Sequence, residues 1–316
     1  MRGGLCKDIF NGDSIRLDVG DGAYSIDTLK TAMARRWGGK LDARAINMRD
    51  VARGAATIPG EDIVVLTIGE PVSYTGERLG RAKFALPESE LENLRILKRA
   101  GKRIVSVVFA GRPVIMDEIV WLSDAVIMAW YPGAMGGEAL AEILCGATNP
   151  SGKLAQHIPF DAGQIPLSYR EKRTFIACGY ADIPAKPLFP FGFGLSYTTF
   201  AYGKPEVAQP VFDIGETVEV AVKVTNTGTV AGREVVQLYL RDEVASVLPR
   251  ERELREFASI WLSPGETKTV TFALPPDAFA LYDADLQRVV EPGDFTVFVG
   301  PDSTTTNAVR ITLKTR

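Results

Sequence analysis

The sequence is poor in the residues that most often carry nucleophilic and metal chemistry. It has one histidine, His157, and three cysteines, Cys6, Cys145 and Cys178. A Ser–His or Cys–His machine would have to be built around that single ring. His157 sits in KLAQHIPF (153–160), alternating with apolar residues as in a strand, and its expected role is structural. Three scattered cysteines make neither a disulfide framework nor a CxxC metal site. Long apolar runs are also missing: residues 1–20 contain none of signal-peptide length, and no later segment is long enough to span a membrane. No basic stripe appears either. Thirty-six Lys and Arg stand against 39 Asp and Glu, a net charge of −3, which argues against nucleic acid as a partner.

What is present is a globular composition, 46% hydrophobic and 24% charged over 316 residues, enough for two domains of ordinary size. The first half alternates helical and strand patterns. DTLKTAMARRWGG (27–39) has helical spacing and a glycine stop, and ESELENLRILKRAG (88–101) follows the same plan behind Pro87. VIMDEIVWL (114–122) and GEALAEILCG (137–146) read as further helices. LDARAIN (41–47), DIVVLTIG (62–69), RIVSVVFAG (103–111) and DAVIMAWYPG (124–133) read as strands, the last three of the buried, β-branched kind. This rhythm predicts a doubly wound, mostly parallel sheet covered on both faces, in which ligands gather at loops beyond the strands' carboxyl ends. The loops 69–87, 110–113 and 131–137 are the places to look.

Residues 161–202, rich in Pro, Gly and aromatics, read as an ordered connecting segment. Beyond 203 the pattern is alternating and β-branched, in ETVEVAVKVTNTG (216–228), GREVVQLYLRD (232–242), TKTVTFALP (267–275) and GDFTVFVG (293–300). With turn residues between them, these strands predict an immunoglobulin-like antiparallel sandwich. The expected boundaries are an α/β domain over 1–160, the connecting segment, and a β-sandwich over 203–316.

Several segments, in order and spacing, resemble the C-terminal part of glycoside hydrolase family 3 enzymes of the periplasmic β-glucosidase type. NPSGKL (149–154), QIPLSY (164–169) and above all FPFGFGLSYTTF (189–200) resemble the exit from the second catalytic domain. GRPV (111–114) and WYPGAMGGEALAEILCG (130–146) are similar to the family's α/β domain. VTNTG (224–228), VVQLYLRD (235–242) and LSPGETKTVTF (262–272) are similar to its fibronectin-III-like domain. Residues 1–60 match poorly. The resemblance implies a retaining exo-acting β-glycosidase acting on terminal β-D-glucosyl residues of a β-linked oligosaccharide or glucoside, with no cofactor and no metal. It also implies a (β/α)8 barrel as the partner that supplies the nucleophile, since no SDW-like motif occurs in this sequence. A periplasmic or secreted location is the family's. The 316 residues alone are then expected to be inactive.

The loop GEPVSYTGERLGRAKFALP (69–87) is where the resemblance places the chemistry. The family shows a GE…SGE…SR pattern, in which the second glutamate is the acid/base. Glu70 takes the first place, Gly76-Glu77 the second and Arg81 that of the arginine. Glu77 is the expected general acid/base, and Glu70 the support of the loop. Arg81 is expected to hold Glu77 or a sugar hydroxyl, and Trp130 and Tyr131 to bind substrate by stacking. Arg112 is expected to pair with carbonyls or an acid at the strand end. Arg78 and Leu79 replace the small residues usual after the glutamate, and a cation there opposes a raised acid pKa. A non-catalytic accessory or relict module that packs on a barrel chain, or binds glycan, is the competing reading. A fibronectin-type adhesion module fused to a flavodoxin-like domain is disfavoured, because flavin and nucleotide signatures are missing.

Overall fold

Three short β-branched runs form the centre of the first half. β3 (Ile63–Gly69), β4 (Arg103–Phe109) and β5 (Ala125–Met128) pair in parallel in that order, Ile63 opposite Arg103 and Val105 opposite Ala125. The structure is a computed structural model that describes residues 15–19, 22–37, 51–60, 62–74, 76–172 and 180–315. It divides into two units, Met1–Thr148 with Phe160–Gly163, and Asn149–Pro159 with Gln164–Arg316. The strand expected over 41–47 lies outside the described residues.

In the first unit the sheet is buried on both faces, which is why its strands read as unbroken apolar runs. Val65, Val107, Phe109 and Ile127 pack on one side against Leu29, Ala32 and Met33 of α1 (Leu29–Trp37) and Leu140 and Ala141 of α5 (Gly136–Leu144). On the sheet's other side, α3 (Glu88–Arg99) buries Leu94 and Leu97 and touches β3, β4 and α4 (Asp117–Leu122). Glu88 and Glu90 open α3 and Lys98 and Arg99 close it, an order that suits the helix dipole. Two elements escaped the sequence reading. One is α2 (Val51–Thr57), which packs on α3; the other is an antiparallel hairpin, β1 (Ile15–Val19) with β2 (Gly22–Ile26).

The second unit is a two-sheet β-sandwich. β10 (Gly232–Asp242) sits between β11 (Glu253–Leu262) and β15 (Gly293–Gly300), with β16 (Ala308–Lys314) and β8 (Val211–Asp213) continuing that sheet. The facing sheet joins β12 (Thr267–Leu274), β9 (Val218–Asn226) and β6 (Phe200–Tyr202), and β7 (Glu206–Val207) also pairs with β9. Alternation along β9 sends Val218, Val220, Val222 and Val224 into a core shared with Leu238, Val297 and Phe272. Asn226 is the next residue in that inward row and is fully buried. Its amide satisfies the site completely. It donates to Val230 O at 2.9 Å and Leu262 O at 3.0 Å, and accepts from Thr198 Oγ1 at 2.6 Å and Gly228 N–H at 3.0 Å. VTNTG is therefore a structural motif built around that amide.

The Pro- and aromatic-rich segment belongs to this second unit. It covers the outer face of β10, which explains why VVQLYL is apolar on both sides. The Tyr169 ring stacks on Phe191 at 4.0 Å and meets Tyr239 edge-on at 6.2 Å. The Gln237 amide donates to Gly192 O at 3.1 Å. Gly192 has φ of 83°, and a Cβ there would lie 2.1 Å from Gln237 Oε1, so the FPFGFG motif needs glycine at this point. Asn149, which opens NPSGKL, donates to Ala231 O and accepts from Ser196 Oγ and Tyr197 N–H. KLAQHIPF, expected as a strand, forms none: it is held by the isolated Ile158–Phe189 bridge and by backbone bonds from Leu154 N–H to Phe193 O and from Gly192 N–H to Leu154 O.

Candidate active site at the carboxyl edge of the parallel sheet

Chain reversals after β3, β4 and β5 bring residues from three stretches of sequence to one edge of the sheet. Glu70 follows β3 directly and its N–H donates to Phe109 O at 2.9 Å, continuing the pairing one step past the strand. Its side chain is fully buried. A buried carboxylate needs cations and donors close by, and two guanidinium groups supply them. Arg81 Nη1 donates to Glu70 Oε1 at 2.9 Å, and Arg112 Nε stands 3.4 Å from the same oxygen. Glu70 Oε2 is buried without a hydrogen-bond partner. The second arm of Arg81 donates to Ala85 O at 3.0 Å, and its guanidinium lies 4.5 Å from the centre of the Tyr74 ring. Arg81 therefore ties together the start, the middle and the end of the loop.

Glu77 lies elsewhere. It occupies a turn closed by Leu79 N–H to Gly76 O at 3.2 Å, and it is exposed. Gly76 has φ of 146° and Arg78 has φ of 65°, the latter a conformation that side chains other than glycine's adopt at a cost. Glu77 has no hydrogen-bond or ion-pair partner among the described residues. The far end of the loop returns to the domain at Ala85, which bridges to Ile115, with Ile115 N–H donating to Phe84 O at 3.0 Å.

Trp130 and Tyr131 follow β5 on the same edge, both half-buried, with Trp130 at φ of 53°. The Tyr131 ring lies over Gly111, where a Cβ would come within 2.4 Å of it, so the GRP turn must begin with glycine. The structure thus sets Arg81, Arg112 and Tyr74 around Glu70, and leaves Glu77 standing free of that cluster. Sequence reasoning passed over Tyr74. A tyrosine seven positions before Arg81 in the same loop was the available signal.

His157 takes no part in this edge. It lies in the second unit, where its Nδ1 accepts from Phe191 N–H at 2.8 Å. Burial pulls its pKa down to about 4, so the ring is neutral and carries its proton on Nε2.

The first unit thus presents a carboxylate loop at the carboxyl edge of a parallel sheet, and the second unit is a two-sheet β-sandwich. Residues 12–197 match the Glycosyl hydrolase family 3 C-terminal domain, and residues 234–303 the Fibronectin type III-like domain. A β-xylosidase of Formosa agariphila is 42% identical over 245 residues, covering 77% of this chain and 34% of the relative. The periplasmic β-glucosidase of Salmonella typhimurium is 37% identical over 252 residues, covering 77% and 33% respectively. The crystal structure of β-glucosidase from Listeria innocua in complex with glucose superposes with a TM-score of 0.80 at 35% identity, covering 85% of this chain and 39% of that one. The chain belongs to glycosyl hydrolase family 3, and it spans about a third of the length of the curated relatives it matches. No helix among the described residues is long and apolar enough to cross a membrane.

Proposed function

We propose that this segment supplies the acid/base loop of a retaining, exo-acting β-glycosidase that releases terminal non-reducing β-D-glucosyl residues. The nucleophilic carboxylate would come from a (β/α)8 barrel outside these 316 residues. One observation carries the reading: Glu77 is an unpaired, exposed carboxylate on a glycine turn, while the root of its loop is held by the buried Glu70–Arg81–Arg112 cluster. Such a loop can carry a carboxyl group into a pocket formed by another body without disturbing its own sheet.

In the proposed reaction the barrel carboxylate attacks the anomeric carbon while the Glu77 carboxyl gives its proton to the departing glycosidic oxygen. The resulting Glu77 carboxylate then takes a proton from water as that water displaces the enzyme carboxylate from the sugar. Retention in this scheme requires the two carboxyl groups about 5–5.5 Å apart. Glu70 is given a different task, because Arg81 and Arg112 fix it as the anchor of the loop.

A second reading, a non-catalytic module that packs on a barrel chain or binds glycan, draws on Arg78. Arg78 and Leu79 follow Glu77 where the family's pattern has small residues. The test uses the segment joined to or paired with a family 3 barrel. Glu77→Ala should lose about 10²–10⁴-fold in rate on cellobiose, whose leaving group must be protonated. The glycosylation step with a 2,4-dinitrophenyl glucoside should be nearly spared, and azide should rescue turnover. Equal losses on both substrates without azide rescue would move the role to another carboxylate. The 316 residues alone should give no enzyme-like turnover of p-nitrophenyl β-glucoside, and robust turnover by this polypeptide would remove the need for an outside nucleophile.

A further inference from the structure

The β-sandwich contains a cavity of about 390 Å³ that the glycosidase reading does not use. That volume lies within the ~300–1,000 Å³ of small-ligand sites. Its charge is unbalanced. Arg170, Arg250 and Arg255 line it and converge on one carboxylate, that of Glu253. Arg170 Nε donates to Glu253 Oε1 at 2.9 Å, Arg250 Nε lies 3.4 Å from the same atom, and Arg255 Nη2 donates to Oε2 at 2.8 Å. Three guanidinium groups thus share a single negative charge, and Arg255 Nε is buried without an acceptor. Lys172 lines the same cavity and has no carboxylate partner among the described residues. Arg288 adds nothing to the excess, because Asp277 pairs with it through both carboxylate oxygens. Asp242 is the other acid of the lining. Four cations therefore face two carboxyl groups.

The rest of the lining is apolar. Phe279, Leu281 and Phe295 form wall, and the Tyr282 ring stands beside it 63% exposed. An exposed aromatic ring next to a cationic floor suits a ligand with an apolar face and a planar anionic group. A pyranose ring presents such a face of C–H bonds, and a carboxylate at its edge matches the fork of a guanidinium.

We infer that this cavity binds a carboxylate-bearing sugar, a hexuronate unit of an acidic glycan, with its carboxylate on the Arg170–Arg250–Arg255 group and its ring on Tyr282. The site would hold an acidic polysaccharide on the β-sandwich. The inference does not depend on Glu77 or on the proposed reaction, and it can be tested on the full 316-residue chain without any turnover assay.

Isothermal titration and ligand-observed NMR with glucuronate, glucose, acetate and inorganic sulfate provide the test. Glucuronate should bind at least about tenfold tighter than glucose, the difference expected of one charge-assisted contact. It should also bind tighter than acetate or sulfate, which lack the sugar face. Arg170→Ala and Tyr282→Ala should each weaken glucuronate by a similar factor, and only the arginine variant should reduce the salt dependence of binding. Both positions are substantially exposed, so their variants are expected to fold. Equal affinity for glucose and glucuronate, affinity for acetate or sulfate matching that for glucuronate, or no saturable binding at millimolar glucuronate would each overturn the inference.

Discussion

Glu70 in the first unit and Asn226 in the second are both fully buried polar side chains, and they are satisfied in opposite ways. In the α/β unit the buried group is a charge, Glu70, set against Arg81 and Arg112 with one oxygen left without a hydrogen bond. In the sandwich the buried group is a neutral amide, Asn226, whose two donated and two accepted bonds close its site. A neutral hub can be fully satisfied by nearby backbone groups and one hydroxyl, and so belongs to the framework. A buried ion pair seldom repays its desolvation. Its retention at the root of a loop, at the carboxyl edge of a parallel sheet, points to the geometry it enforces on that loop.

The contrast can be broken first at the amide. Asn226→Ala would leave the Val230 and Leu262 carbonyls, the Thr198 hydroxyl and the Gly228 N–H without their partner. The expected loss is about 4 kcal/mol, the sum of several unsatisfied groups in a buried site. Urea unfolding followed by circular dichroism measures it, and a loss below about 1 kcal/mol would show that water replaces the side chain.

The charged cluster comes next. Glu70→Ala leaves two guanidinium groups facing each other and should cost about 3 kcal/mol. Amide exchange should speed up over residues 76–86, because Arg81 loses its hold. Glu77→Ala, seven residues away on the exposed turn, should stay within about 0.5 kcal/mol of the parent. Similar losses for the two variants would erase the distinction between anchor and tip.

The smallest effect is a pair of opposed titrations in the sandwich unit. His157 is held at a pKa of about 4 against 6.5 unfolded, so its contribution is present above pH 6.5 and is lost as pH falls toward 4. Asp242 is pushed up to about 6 from 3.8, chiefly by burial and less by nearby Glu291 and Glu243, so its contribution is present below pH 3.8 and is lost as pH rises through 6. Between pH 4 and 6 the two slopes oppose one another. Asp242→Asn should remove one of them and expose a loss on acidification approaching, at most, about 1.4 kcal/mol per pH unit. A stability profile across this range identical to that of the parent would show that Asp242 titrates normally.

The central strands of both units were legible because their patterns are set by burial. β3, β4 and β9 show the apolar run or alternation that their surroundings demand. β11 was missed because its pattern is mixed. Phe257 and Trp261 lie exposed on the edge strand, and the register with β10 shifts at Leu238/Tyr239, so alternation gives no single reading. β16 does alternate, with Val309, Ile311 and Leu313 facing the core, and was passed over, whereas α2, VARGAAT, is short and carries no apolar stripe. At the site, Glu70, Glu77 and Arg81 could be picked out from one loop, but their grouping could not. Arg112 reaches Glu70 from the end of a neighbouring strand, a proximity that follows from parallel register and not from sequence spacing. Likewise, only the fold shows that the segment before residue 200 covers the outer face of β10.

The loop between Glu70 and Ala85 is stitched to the domain at both ends, at Phe109 on one side and Ile115 on the other. In polymer terms it is a closed tether with fixed attachment points, and its reach is set by the number of residues between them, at most about 3.3–3.6 Å for each. Adding residues at such a tip costs little, since closure entropy grows only with the logarithm of length. Insertions or deletions near Gly76 would therefore alter how far the Glu77 carboxyl extends while leaving the anchored root and the sheet unchanged. Under the role proposed for Glu77, a lineage could refit this arm to a differently shaped pocket by changing its length alone.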